Sequence, residues 1–303
     1  MMMVEVTEPA AAAAQRTQPG ARLLAGLIGS GIQRSLTPAM QEEEARAQGL
    51  HLHYQLIDLD RSTQGADALP MLIAAARTMG FAGLNITYPC KQTVIPLLDA
   101  LSDEARLVGA VNTVVFKDGK ATGHNTDGGG WRWGLERQLP GAKLSRVALL
   151  GAGGAGSAIA HAALQMGVAQ LVLVDSDIAR ATELAERLNS LHPGCRASVT
   201  ADVAAALHGA DGLVHATPTG MDKLPGLPLA ADLLRPELWV SEIVYFPLET
   251  ALVRAATARG CRVAHGAGMA VGQAVGAFRH FTGCEPNPAR MQAHMQLLLR
   301  DFA

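Results

Sequence analysis

A chain of 303 residues exceeds the ~250 residues at which a single hydrophobic core stops growing, so two domains with a cleft between them are expected. It is 49% hydrophobic and 17% charged, with scattered Lys and Arg and a formal net charge of −2, which argues against nucleic acid or an anionic membrane as a partner. No apolar stretch approaches the ~20 residues a membrane helix needs, and the four widely spaced cysteines (Cys90, Cys195, Cys261 and Cys284) contain no Cys-x-x-Cys pair, which points away from disulfides and zinc and toward a reducing cytoplasm.

Residues 1–22 contain Glu5, Glu8, an Ala run, Pro9 and Pro19, without the basic start and apolar centre of a secretory signal, and read as a disordered tail. Short apolar runs then alternate with helical periodicity. Leu23–Ile28 reads as a buried strand and Pro38–Gln48 as a helix closed by Gly49. His53–Leu59 is strand-like, Leu69–Met79 helical up to Gly80, and Gly83–Thr87 a strand before Pro89, which is expected to launch a helix. This alternation predicts a largely parallel sheet covered by helices. A β-rich pair around Ala110–Phe116, turned at Asp118-Gly119, closes the first region.

A second series runs from Asp127: a helix through Trp131 to Leu139, a strand Arg146–Leu150, a glycine turn, a helix to about Met166 and a strand Leu171–Asp175. Strands follow at Gly212–Thr217, Trp239–Tyr245 and Arg262–Ala264, as in a doubly wound nucleotide fold. Helices over 268–281 and 288–300, the latter with Asn287 as cap and Pro288 at its first position, are expected to pack back on the first region. The α/β chain thus divides into a tail (1–22), a first domain (23–126 plus 267–303) and a Rossmann-type domain (127–266).

Gly151-Ala152-Gly153-Gly154-Ala155-Gly156 directly follows a strand and opens a helix, the context in which G-x-G-x-x-G has a physical meaning. Gly151 permits the tight turn, Gly153 lets backbone approach a pyrophosphate, and Gly156 allows close helix–strand packing at a helix N-terminus that attracts anions. Asp175 ends the next strand, placed to accept the ribose hydroxyls of adenosine and to repel a 2′-phosphate; capping of the following helix is the lesser alternative for Asp175 and suits Asp177. Arg180 lies a turn further on, where it could stack on adenine. The pattern favours NAD over NADP.

Hydride transfer from an alcohol requires a group to take the hydroxyl proton. Lys91 follows a strand end that also carries Asn85 and Thr87, although taken alone it reads as a solvated lysine. Asn112-Thr113 and Asn125-Thr126-Asp127 form a second polar cluster at strand ends or loops, where site residues concentrate. His161, His215 and His280 read as structural histidines and Cys90 as passive. Thr37 before Pro38 reads as a helix cap.

Asn85-x-Thr87-x-Pro89-x-Lys91, Gly109-Ala110-Val111-Asn112-Thr113, Asn125-Thr126-Asp127-Gly128, Gly151-Ala152-Gly153-Gly154 and Gly268-Met269-x-x-x-Gln273-Ala274 together resemble the shikimate dehydrogenase family, in order and over nearly the whole chain after the tail. The resemblance implies Lys91 as acid/base paired with Asp127, and Asn85, Thr87, Asn112 and Gln273 on the ring hydroxyls. It adds Ser35 and Thr37 at the substrate carboxylate and Tyr245 bordering the substrate. Gly151, Ala152, Gly153, Gly154, Ala155, Asp175, Arg180, Thr217, Pro218, Ile243, Gly266 and Met269 line the cofactor, with Ile243 at the nicotinamide; Met221, in the loop after Pro218, reads equally as core packing. His265 departs from the family pattern, which has Asp or a similar residue before the glycine.

Thr37, where shikimate-dedicated members carry Ser, and Asp175-Ser176-Asp177, where NADP users carry Asn-Arg-Thr or Asn-Arg-Ser, resemble the NAD-dependent quinate/shikimate branch. The implied reaction is NAD-dependent oxidation of quinate or shikimate to 3-dehydroquinate or 3-dehydroshikimate by a monomer or homodimer. The alternatives are an NADP-dependent biosynthetic shikimate dehydrogenase, an aminoshikimate dehydrogenase, or a non-catalytic metabolite sensor on the same fold.

Overall fold

The computed structural model describes residues 17–194 and 196–300. The first of its two six-stranded sheets contains β1 (Arg22–Gly29), β2 (His51–Asp58), β3 (Gly83–Ile86), β4 (Ala100–Leu101), β5 (Thr113–Lys117) and β6 (Lys120–His124), in the order β2-β1-β3-β5-β6-β4. Helices α1 (Thr37–Ala47) and α2 (Leu69–Thr78) are the crossovers that let β2, β1 and β3 run parallel. The expected turned pair follows as β5 and β6, with β5 antiparallel to both β3 and β6. Asp118 and Gly119 have φ of 52° and 74°, the left-handed pair of a tight hairpin whose twist returns β6 alongside β5.

Pro89 does not launch a helix. Residues 88–94 form consecutive turns, with Cys90 N donating to Thr87 O and Val94 N to Cys90 O. Two prolines, Pro89 and Pro96, bracket a window too short to recover the cost of nucleating a helix. The expected tail lies mostly outside the described residues, but its end is paired: Thr17 donates from N and Oγ1 to Thr282 O, and β1 begins at Arg22.

The second sheet is wholly parallel: β7 (Arg146–Leu150), β8 (Gln170–Val174), β9 (Arg196–Val199), β10 (Gly212–His215), β11 (Trp239–Glu242) and β12 (Arg262–Ala264), ordered β12-β11-β10-β7-β8-β9. The strand order reverses between β7 and β10, and in such sheets the ligand crevice opens at the C-terminal ends of the strands flanking that reversal. Its helices are α5 (Gly154–Gln165), α6 (Ile178–Leu191), α7 (Val203–Leu207) and α8 (Ala251–Ala258). One core cluster packs Val147, Leu149, Leu171 and Leu173 under α5 and α6, and another fills the opposite face with Leu150, Leu213, Val240 and Leu252.

Between the sheets cross α4 (Asp127–Gln138) and α9 (Gly266–Thr282). Their contact is backbone on backbone: a methyl on Gly272 would fall 2.7 Å from Gly130 O, one on Gly134 2.8 Å from Gly268 C, and one on Gly130 2.5 Å from Gln273 N. Nothing flexible can yield there. Gly272→Val is therefore expected to lower unfolding free energy by about 3 kcal/mol, read from a urea transition, because both helices must move apart.

From α9 the chain returns to the first sheet, and α10 (Pro288–Arg300) follows, with Asn287 Oδ1 accepting from Arg290 N as its cap. Met291 and Met295 pack with Leu36, Met40 and Val271. The buried Glu44 of α1 accepts two bonds from Arg290, 2.7 Å from Nε and 2.7 Å from Nη2, and another from Asn287 N, which locks α10 against α1.

The short helix α3 (Asp103–Val108) meets the second sheet's helices at its last carbonyl: Ser157 Oγ donates to Val108 O at 2.7 Å and Arg187 Nη2 at 3.1 Å. Beside them the buried His161 lies 3.2 Å from His192, and burial, then the neighbouring His192 and Arg187, lower its pKa from 6.5 to about 4. The folded state holds His161 neutral while the unfolded chain protonates near 6.5, so its contribution is complete above that pH and is lost as pH falls toward 4. His161→Gln is expected to flatten the decline of Tm between pH 6.5 and 4, an effect of about 1–3 kcal/mol.

Candidate active site

Lys91 reaches across from the turns after β3 to the first residue of α4. Its Nζ lies 2.5 Å from Asp127 Oδ2, with side-chain exposures of 19% and 6%. A charged pair this enclosed requires a frame, and the polar strand ends supply it. Asn112 Nδ2 donates to Asp127 Oδ1 and to Thr126 Oγ1, both at 2.9 Å, while Asn112 Oδ1 accepts from Thr126 N and Thr113 Oγ1. Asn125 Oδ1 accepts from Asp127 N. Lys91 Nζ meets no other protein acceptor among the described residues, and the Asp127 carboxylate is held from both oxygens.

The sequence reading missed Tyr54, on β2. Its hydroxyl donates to Asn85 Oδ1 at 2.7 Å, and Asn85 Nδ2 in turn donates to Thr113 Oγ1 and Asn112 O. Burial, and secondarily Tyr245 nearby, push the Tyr54 phenol well above its usual pKa, so it remains a donor. Both amide protons of Asn85 and of Asn112 are thus used inside the protein, and both oxygen lone pairs of Asn112 are filled. What Asn85 offers outward is an oxygen lone pair; what Asn112 offers is the orientation of Asp127. A lone tyrosine in a strand pattern carries no signal for this, since only the β1–β2 and β1–β3 registers bring it beside Asn85.

Ser35 and Thr37 lie at the start of α1, and the capping reading of Thr37 does not hold. The helix begins at Thr37 with Leu36 in the cap position and no side-chain cap; instead Ser35 Oγ accepts from Thr37 N at 3.3 Å. Tyr245 comes to the same place from the loop after β11. Burial raises its pKa and a hydrogen bond with Ser35 works the other way, while its ring packs beside Leu36 and α9. The Ser35 hydroxyl and the Tyr245 phenol, 210 residues apart in sequence, therefore meet. Thr87 is half-buried at the end of β3, its methyl against Gly29, and Gln273 lies on α9 where it crosses Gly130, with Nε2 donating to Ala270 O.

The glycine turn borders this cluster. A methyl on Gly154 would be 3.4 Å from Lys91 Cδ and 3.5 Å from Ala110 Cβ, so the N-terminus of α5 rests on the stem of the lysine. Gly151 has φ 101°, and a methyl on it would strike Ala216 O; one on Gly156 would lie 2.0 Å from Gly151 O. Gly153, by contrast, faces open space. A crevice with free helix N–H groups and no side chain over Gly153 fits a pyrophosphate, with Ala152, Gly154 and Ala155 beside it.

Asp175 sits 5% exposed at the end of β8, where Oδ2 accepts from Ala152 N at 2.6 Å, and Oδ1 from Asp177 N and from Arg180 Nη2 at 2.6 Å. These bonds and the Arg180 charge outweigh burial and hold its carboxyl below the usual range. It caps nothing: Asp177 takes that role, accepting from Arg180 N. Across the crevice Thr217 and the exposed Pro218 follow β10, and Ile243 follows β11. Gly266 presses on the carbonyls of Ile243 and Val244, where a methyl would be 2.5 and 2.7 Å away. Met269 is buried in the core beside Trp131, so only its backbone could meet a cofactor. Met221 is 42% exposed and not core packing. The cleft mouth is spanned by two ion pairs, Arg34–Asp222 at 2.6 Å and Lys223–Asp60 at 2.7 Å, with Arg34 also 4.2 Å over the Phe246 ring.

Residues 27–114 match the family described as the shikimate dehydrogenase substrate binding domain, and residues 146–240 the one described as NADP oxidoreductase, coenzyme F420-dependent. A shikimate dehydrogenase (NADP(+)) of Streptomyces avermitilis is 55% identical over 272 residues, covering 89% of this chain and 94% of the relative. The chain belongs to the shikimate dehydrogenase family. Among family members, a quinate/shikimate dehydrogenase (NAD(+)) of Corynebacterium efficiens is 47% identical over 274 residues, covering 89% and 96%. Quinate dehydrogenase from Corynebacterium glutamicum, solved in complex with NAD, superposes with a TM-score of 0.84 at 44% identity, covering 92% of this chain and all of that one. No described helix is long and apolar enough to cross a membrane, and no described group of His, Cys, Asp or Glu could hold a metal ion.

Proposed function

We propose that this protein oxidises the ring secondary alcohol of quinate or shikimate with NAD, giving 3-dehydroquinate or 3-dehydroshikimate. The observation that carries the reading is the enclosed Lys91–Asp127 pair lying against the glycine turn, which puts a base and a dinucleotide crevice on opposite sides of one small space. A bound nicotinamide supplies the hydride acceptor. Lys91 Nζ takes the hydroxyl proton, and Asp127, oriented by Asn112 and Asn125, holds the amine in place and stabilises the ammonium that forms. Ser35, Thr37 and Tyr245 take the carboxylate, while Asn85, Thr87 and Gln273 take the remaining hydroxyls. Residues 23–126 with 267–303 then form the substrate domain, and 127–266 the dinucleotide domain.

NAD rather than NADP rests on Asp175, whose carboxylate would face a 2′-phosphate. The NADP-dependent reading is supported by the Streptomyces relative and by Arg180, a cation 2.6 Å from that carboxylate. Initial rates with quinate and with shikimate, each with NAD and NADP, separate the two. Quinate or shikimate turnover with NAD at a kcat/KM at least tenfold above that with NADP supports the proposal; turnover of shikimate with NADP alone replaces it by the biosynthetic reaction.

A further inference from the structure

His215 and Glu242 end the neighbouring strands β10 and β11 as register partners, and both side chains are wholly buried. His215 Nδ1 is 2.8 Å from Glu242 Oε1, and its Nε2 is 2.5 Å from Thr217 Oγ1. Glu242 Oε1 also accepts from Ile243 N at 2.8 Å and Val244 N at 3.0 Å, and Oε2 accepts from the Thr250 hydroxyl at 2.8 Å. With an acceptor at Nδ1 the imidazole carries its proton there, so Nε2 draws the Thr217 hydroxyl proton inward, and Thr217 Oγ1 is left to accept from Thr219 N.

An apolar pair would fill this volume without the cost of burying polar groups. What the pair adds is direction. It turns the Ile243 and Val244 amides toward the sheet and their carbonyls toward Gly266, and it aims the Thr217 hydroxyl away from the crevice.

We propose that His215 and Glu242 are positioning residues for the nicotinamide end of the dinucleotide, setting the backbone of Ile243–Val244 and the Thr217 side chain that border it. The proposal rests on the dehydrogenase reading. Its test is direct binding of NADH and of ADP-ribose, which lacks the nicotinamide, to the wild type, His215→Asn and Glu242→Gln, with Tm measured alongside. The expected result is NADH binding weakened about tenfold with ADP-ribose binding within about twofold of wild type, since the glycine turn and Asp175 lie on other strands. Equal weakening of both ligands, or no change in either, overturns it. Should either variant fail to fold, Thr217→Val, which removes the hydroxyl that the pair aims, is measured in the same way: the same selective loss is expected and unchanged NADH binding overturns the proposal. A wild type that binds neither ligand overturns the dinucleotide reading itself, independently of how the variants behave.

Discussion

Replacing Lys91 by methionine is expected to lower kcat for alcohol oxidation by about 10²–10⁴-fold while changing KM less than about threefold. Methionine keeps the length and apolar stem that rest on Gly154, so the crevice keeps its shape while the amine, which is both the proton acceptor and the partner of Asp127 Oδ2, is removed. The loss belongs to the transition state because the alcohol proton then has no acceptor among the residues framing Asp127; Asn112 and Asn125 already have fixed partners. Steady-state rates of the wild type and the variant check this. A KM increase as large as the kcat loss would instead make Lys91 a binding residue.

Asp175→Asn should lower kcat/KM with NAD by about 10–100-fold and narrow the preference over NADP, measured as the ratio of the two. Two effects combine. The carboxylate that would face the 2′ position is gone, and Ala152 N, which donates to Oδ2 at 2.6 Å, loses a charged acceptor for a neutral one. Arg180, paired with Oδ1 at 2.6 Å, is released by the same change to meet a 2′-phosphate. The selectivity ratio should therefore move more than Tm. A variant that weakens NAD and NADP equally would reduce Asp175 to a support of the glycine turn.

Elements with a strong local signature are legible in the amino-acid sequence itself. The glycine turn, Asp175, Lys91 and the Asn112 and Asp127 motifs lie at strand ends marked by their own sequence context, and the resemblance to the family adds their roles. Elements shaped by contact are not. The segment after Pro89 stays in turns where a helix is expected, whereas the β5–β6 hairpin is legible from its Asp118-Gly119 turn. β9, an edge strand without an apolar run, and the five-residue α7 carry too little local signal. Thr37 has the sequence context of a cap, yet Leu36 holds that position and Thr37 is the first residue of the helix. His215 reads as an ordinary buried histidine, because its partner lies 27 residues away and meets it only through strand register.

The sequence by itself determined the chemistry available: a lysine, an aspartate, a glycine turn and a ring of amides and hydroxyls, in an order that resembles one enzyme family. It determined as well that strands and helices alternate, since apolar periodicity is a local property. Only the tertiary structure decided which of these groups face one another. Asn112 and Asn125 hold Asp127 2.5 Å from Lys91, Tyr54 completes Asn85 from another strand, and Asn112 turns its amide protons toward Thr126 and Asp127. The physical reason is that a hydrogen bond depends on distance and angle between groups that the chain separates by tens to hundreds of residues, and packing alone fixes those.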